Sequence, residues 1–187
     1  QLYWSIDKPE QRYDQLLKWW VGENVHGRHM WPGNYTGKML LPSFRWPASE
    51  IVEQIRLTRA QTGATGNVHF SMKAFLRDSG GIDAALKDGP YKNQSLVPAS
   101  PWLDNKSPDK PSLDLKRKGD SITASWGPKW QLFGGERPWL WVVYVKRGDA
   151  WETNVYPGKT RSIDLARGEG APVSAVAVSR VDRCGNE

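Results

Sequence analysis

Two stretches in the first third of the chain repeat their apolar residues at helical spacing. Tyr13, Leu16, Leu17 and Trp20 make one stripe, and Ile51, Val52, Ile55 and Thr58 make another. Recurrence every three to four residues lays side chains along one face of a helix. Asp7 and Glu10 have capping-box spacing with Pro9 between them, which predicts a helix starting there and ending near Gly22. Pro47 opens the second helix and Gly63 closes it. Trp19 and Trp20 are neighbours and so point different ways: Trp20 is expected in the core stripe and Trp19 over an adjoining element. Short apolar runs without this period lie before and between, in "QLYW", "GRHMW" and "NVHFS". The first run ends at Trp4, the second gives way to a loop at Pro32-Gly33-Asn34 that runs to Trp46, and the third spans Val68 to Ser71. Each reads as a buried strand, with helical turns from Met72 to Leu76 and in "GGIDAALKDG" closing the series. Strand alternating with helix predicts a parallel α/β arrangement.

The pattern changes after Tyr91. Pro98, Pro101, Pro108 and Pro111 punctuate a segment rich in Ser, Asp and Lys, and no helical period appears beyond it. Segments 112–117, 121–126, 139–146, 151–156, 161–165 and 173–181 read as strands, with strict alternation in "SITASW" and "VSAVAVSRV". Short strands with turns between them predict a β-sandwich, Ile122, Ala124 and Trp126 facing Trp141, Val143 and Val145 across it. The expected organisation is α/β followed by all-β, with domains at 1–103 and 104–187.

Composition narrows the function classes. At 187 residues, 39% apolar and 25% charged, the chain is an ordinary globular protein rather than a disordered or collagen-like one. Its eleven Trp stand out, and flat rings suit sugar or aromatic ligands as well as cores. The net charge is +6, yet the dense basic run is confined to Lys116-Arg117-Lys118 at a strand end, so no nucleic-acid partner is expected; a mildly basic surface suits an anionic cell-wall polymer. Cys184 is alone, which excludes an internal disulfide and a thiolate metal cluster. No stretch reaches the roughly 18 apolar residues of a membrane span, and no signal-peptide pattern is visible. His26, His29 and His69 have no acidic residue at ligand spacing, so they are expected to be hydrogen-bonded, and neither metal nor cofactor is called for. The glycines of "GATG" and "FGGERP" lack phosphate-loop context.

"QLYW" before a helix containing "LLKWW", then "GRHMWPGNYT", "EIVEQIRLTR" and "GNVHFSMKAFL", together resemble the C-terminal part of glycosyl-hydrolase-like family 10, whose members include cell-envelope glycosidases acting on peptidoglycan glycan strands. The resemblance covers roughly residues 1–103. The segment from Pro111 to Glu187, with Trp126 ending its second strand and "AVAVSRVDRCGNE" near its end, is similar to a fibronectin type III module. The first resemblance implies a (β/α)8 barrel of which this chain holds about strands six to eight, beginning inside strand six. It also implies a partner in the N-terminal barrel portion and a periplasmic or extracellular place in the cell envelope. A self-contained small α/β domain with a three-stranded sheet is the alternative.

Barrel sites lie in the loops after the strands. By that rule the expected polysaccharide-binding residues are Tyr3, Trp4, Trp31, Asn34, Ser71 and Lys73, with Pro32 and Gly33 beside them. Trp4 and Trp31 are expected on one rim. Glycoside hydrolysis requires a carboxylic acid and a second carboxylate or substrate group. Asp7 alone is placed to help, and the resemblance implies an acidic pair after an earlier strand, so the catalytic residues stay unknown. Tyr3 has two open readings, an auxiliary one in which it holds an N-acetyl group during substrate-assisted hydrolysis, and one in which it only stacks or packs. A non-catalytic carbohydrate- or protein-binding module is the rival to a hydrolase.

Overall fold

A computed structural model describes residues 3–43, 45–119, 121–127, 137–165 and 171–187. The chain divides into two units, 1–92 and 93–187. The division falls earlier than the expected 103/104 because the Pro-punctuated segment is tied to the second unit. The side-chain oxygen of Gln94 accepts from the Val155 amide at 2.6 Å, the Ser100 amide donates to the Cys184 carbonyl at 2.7 Å, and Asn186 donates to the Asp104 carbonyl at 3.1 Å.

In the first unit, α1 spans Tyr13–Gly22, β1 Gly33–Asn34, α2 Ala48–Ala60, β2 Val68–His69, α3 Lys73–Leu76 and α4 Ile82–Lys87. Gln1 and Leu2 lie outside the described residues, and Tyr3 and Trp4 are not in a strand. The expected cap at Asp7 is not used. The chain turns through Ser5 to Gln11, and α1 starts after Arg12, whose backbone is extended and whose side chain makes no capping bond. Pro9, which has no amide hydrogen, sits in that turn rather than in a first helical turn. A 3₁₀ segment at Thr36–Leu40 interrupts the expected loop and delivers Met39 to a core with Ile51, Ile55, Ala74, Ile82 and Leu86. Tyr13 and Leu17 of α1 form a second cluster with Leu57 of α2 against them. Trp20 does not join it. Trp19 and Trp20 both face solvent, edge to face at 4.8 Å, because the buried stripe of α1 narrows to Tyr13 and Leu17.

β1 and β2 pair in parallel, Gly33 with Val68 and Asn34 with His69. Backbone bonds continue this pairing at both ends, from Thr65 N to the Met30 carbonyl (3.0 Å) through Phe70 N to the Asn34 carbonyl (2.9 Å) and Gly37 N to the Phe70 carbonyl (2.9 Å). Side chains alternate across this ribbon. Asn34 points to α1 and α2 and is fully buried, whereas Val68 and Phe70, on the other face, are 50% and 53% exposed.

In the second unit, β3 spans Ser112–Lys118, β4 Ser121–Gly127, β5 Leu140–Arg147, β6 Ala150–Pro157, β7 Ser162–Leu165 and β8 Val173–Val181. All pairs are antiparallel, in two sheets of order β3-β4-β7 and β6-β5-β8. The sheets share one core in which Ala124 and Trp126 meet Trp141, Val143 and Val145, as the alternation predicts. Trp126 stands edge-on to Trp141 at 6.4 Å. The Trp141 indole donates to the Gly158 carbonyl at 3.0 Å, and a side chain at 158 would collide with the Pro138 carbonyl, so only glycine fits there. Most of "FGGERP" lies outside the described residues.

Candidate functional site

Parallel strands deliver their following residues to one edge of the sheet, and here β1 and β2 deliver Tyr35 and Phe70. Tyr3 joins them. Its ring centroid is 4.9 Å from Tyr35 and 5.8 Å from Phe70, and Tyr35 and Phe70 are 5.9 Å apart. Tyr3 and Phe70 stack at 24° to one another, while Tyr35 is tilted by 36° to Tyr3 and 47° to Phe70. Phe70 is more than half exposed because period-two alternation turns it away from the helices. Lys38 flanks the cluster, its ammonium 5.9 Å from the Tyr35 ring and 4.7 Å from Trp46. An apolar, half-open surface of rings with a cation at its margin can stack on a flat or pyranose-like ligand. Tyr35, Phe70 and Lys38 are absent from the sequence-derived set; strict alternation through "VHFS" and "GNYT" was the signal available for Phe70 and Tyr35.

The other expected residues separate. Trp31 precedes β1 rather than following it. Its ring stacks on His29 at 5.5 Å and covers Gly66, and its indole donates to Thr65 Oγ1 at 2.8 Å. Four residues of extended chain, about 13 Å, separate it from Tyr35, so it belongs to the opposite end of the ribbon. Trp4 is partly exposed with the Lys8 ammonium 5.9 Å over its ring, and its carbonyl accepts from Gln54 at 3.3 Å. Ser71 is half-buried, its carbonyl accepting from Thr36 Oγ1 at 3.0 Å, and Lys73 is exposed at the start of α3. Asp7 is exposed and lines an open groove with Ser49, Glu50 and Glu53 of α2, on the helix side of the sheet.

Asn34 lies under the sheet in a polar network. Its amide donates to Gln54 Oε1 (2.8 Å) and the Tyr13 hydroxyl (3.2 Å), and its carbonyl oxygen accepts from Asn67 at 2.9 Å. Tyr13 and Thr58 share a 2.7 Å bond, and Gln54 donates to Glu50 Oε1 at 2.8 Å, which also accepts the Ile6 amide at 2.9 Å. Glu50, Gln54 and Thr58 stand four residues apart on one face of α2, which is why they converge. Burial pushes the Tyr13 phenol upward, opposed by its bonds to Thr58, Asn34 and Asn67. This network ties α1 and α2 to the strands.

His69, on the same face as Asn34, bonds through Nε2 to the Tyr91 hydroxyl at 2.7 Å and meets Phe75 edge-on at 5.2 Å. Burial lowers its pKa below the ordinary 6.5, and burial also raises that of Tyr91. His29 is partnered with Trp31 on the far side of the ribbon. Among the described residues no group of three or more His, Cys, Asp or Glu converges as a metal site. No described helix is long and apolar enough to cross a membrane.

The chain is similar to the protein named glycosyl hydrolase YngK from Bacillus subtilis (strain 168), with 39% identity over 118 residues. That match takes in 60% of this chain and 23% of the relative, so the chain spans about a quarter of the relative's length. The similarity is thus to part of a protein named a glycosyl hydrolase. No family model matches it, and no solved structure matches it.

Proposed function

We propose that this chain is the C-terminal portion of a glycoside hydrolase acting on a cell-envelope polysaccharide, with peptidoglycan glycan strands as the substrate class. Its part in the enzyme is a wall of the sugar site. The observation that carries this reading is the half-open cluster of Tyr3, Tyr35 and Phe70 at the C-terminal edge of two parallel strands, in a chain similar to a protein named a glycosyl hydrolase. Strand ends are where a parallel α/β sheet presents its ligand site. Tyr3, through its hydroxyl, is the group to bond an N-acetyl substituent, and Lys38 lies close enough to meet an acidic one.

The exposed Val68, one residue pair below the rings, supports a place within a larger (β/α)8 barrel, where the N-terminal barrel portion would cover Val68, leave Phe70 at the open strand ends and bring the acidic pair that the resemblance implies. The sheet orders β3-β4-β7 and β6-β5-β8, with a tryptophan-centred core between them, support a fibronectin type III-like accessory module. An envelope location, periplasmic or extracellular, follows from the proposed substrate.

Phe70→Ala tests the wall. Titrating N-acetylated glycan oligomers into the folded variant should show about 1–3 kcal/mol of lost binding, taking stacking of bases on aromatic side chains as the scale. Unchanged affinity in a folded Phe70→Ala protein would remove the cluster from the site. Glycan bound with full affinity in the absence of any hydrolysis by the longer parent enzyme would favour the binding-module reading.

A further inference from the structure

The three rings of the wall are held in different ways. Tyr35 and Phe70 follow β1 and β2 and take their places from the strand pairing, through the Phe70 amide on the Asn34 carbonyl and the Gly37 amide on the Phe70 carbonyl. Tyr3 comes from a separate segment, and side chains of α2 hold that segment beside them. The Gln54 amide group donates to the Trp4 carbonyl at 3.3 Å and to Glu50 Oε1 at 2.8 Å, and the same Glu50 oxygen accepts the Ile6 amide at 2.9 Å. Between these points the Ser5 carbonyl accepts the Tyr13 amide at 3.3 Å. Both peptide bonds of residues 4–6 are thus pinned, immediately beyond Tyr3.

Glu50 is the centre of this clasp. A carboxylate is rarely buried without a charged partner, yet Glu50 is only 8% exposed, and among the described residues no Lys or Arg pairs with it. Two amide donors on one oxygen sustain its burial. Its place in the first turn of α2 does not call for this, because an acid there favours the helix N-terminus from an exposed position as well. We infer, resting on the reading of Tyr3, Tyr35 and Phe70 as a sugar wall, that Glu50 is a positioning residue of that wall. It takes the Ile6 amide directly, turns Gln54 onto the Trp4 carbonyl, and so sets Tyr3 at its 4.9 Å from Tyr35 and 5.8 Å from Phe70. The clasp works by its acceptor oxygen and its reach, not by its charge.

Three variants of the full chain separate these properties. Glu50→Gln keeps an oxygen at that place and should retain both the nuclear Overhauser contacts between the Tyr3 and Phe70 rings and the affinity for N-acetylated glycan oligomers. Glu50→Asp keeps the charge but falls one methylene short, and Glu50→Met has no acceptor. Both should lose the ring contacts and, while folded, bind about tenfold more weakly, the order expected when one ring no longer stacks. Glu50→Asp alone carries the test where Glu50→Met does not fold. Adding either change to Tyr3→Ala should weaken binding no further than Tyr3→Ala does, since both act through one ring. A role of charge at the helix terminus predicts the opposite ranking, with Asp as good as Glu and Gln poor. That ranking, ring contacts that persist in Glu50→Asp, or a full second loss in the double variant would each overturn the inference. If Tyr3→Ala and Phe70→Ala both leave affinity unchanged, the sugar wall itself has failed, and the ring contacts alone decide the role of Glu50.

Discussion

Asn34 shows how one residue type supports two opposite readings. Beside Trp31 and Pro32, in a loop-like run, it reads as a polar group offered to a sugar; in the structure strand alternation turns it under the sheet, where Gln54, Tyr13 and Asn67 use its amide. Buried polar groups are costly when orphaned and modest in net value when paired. Asn34→Ala should therefore lower the stability of the first unit by about 1–3 kcal/mol, the penalty of leaving Gln54 Oε1 without its donor. Urea denaturation measures this, and glycan affinity of the folded variant should stay unchanged. A loss of affinity at full stability would return Asn34 to the binding surface. Trp31 follows the same logic: its indole bond to Thr65 and its seat on Gly66 make it a brace at the far end of the ribbon.

At the scale of elements, the strands of the second unit were legible almost to the residue. Alternation in "SITASW" and around Trp141 is the direct imprint of two sheets enclosing one core. Trp126 carries the largest share of that core from β4, edge-on to Trp141 and 6.1 Å from Tyr156. Trp126→Ala should cost about 3–5 kcal/mol by leaving a cavity between the sheets, with no change in glycan affinity at the wall proposed for Tyr3, Tyr35 and Phe70. Denaturation midpoints and a parallel glycan titration check both halves of that expectation. The first unit was harder to read at its boundaries. Capping-box spacing at Asp7 and Glu10 met a Pro9 turn, and α1 began only at Tyr13. Trp31 precedes the two-residue β1, so no alternation reaches it, and the alternation in "GNYT" that turns Asn34 inward spans too few positions to outweigh its Pro32-Gly33 loop context.

At the scale of the whole molecule, each unit has its own core, centred on Ile51 and Ile55 in one and on Trp126 and Trp141 in the other. Separate cores unfold as separate cooperative units. Calorimetry should resolve two transitions, with Asn34→Ala moving one and Trp126→Ala the other; one transition shifted equally by both would show a single cooperative unit. Sequence alone determined the change from helix-bearing to all-strand structure after Tyr91, the two long helical stripes and the paired inner faces of the sandwich. These are local periodicities, set by backbone geometry that every residue in an element shares. Only tertiary structure decided which aromatics meet, that Trp31 and Tyr35 lie at opposite ends of one ribbon, that Trp20 stays in solvent, and that residues 93–103 belong with the strands. Those outcomes depend on parallel register and on contacts between residues far apart in the chain, such as Tyr3 with Phe70 and Ser100 with Cys184. Periodicity can assign a residue to a face, but it carries no information about which distant segment that face will meet.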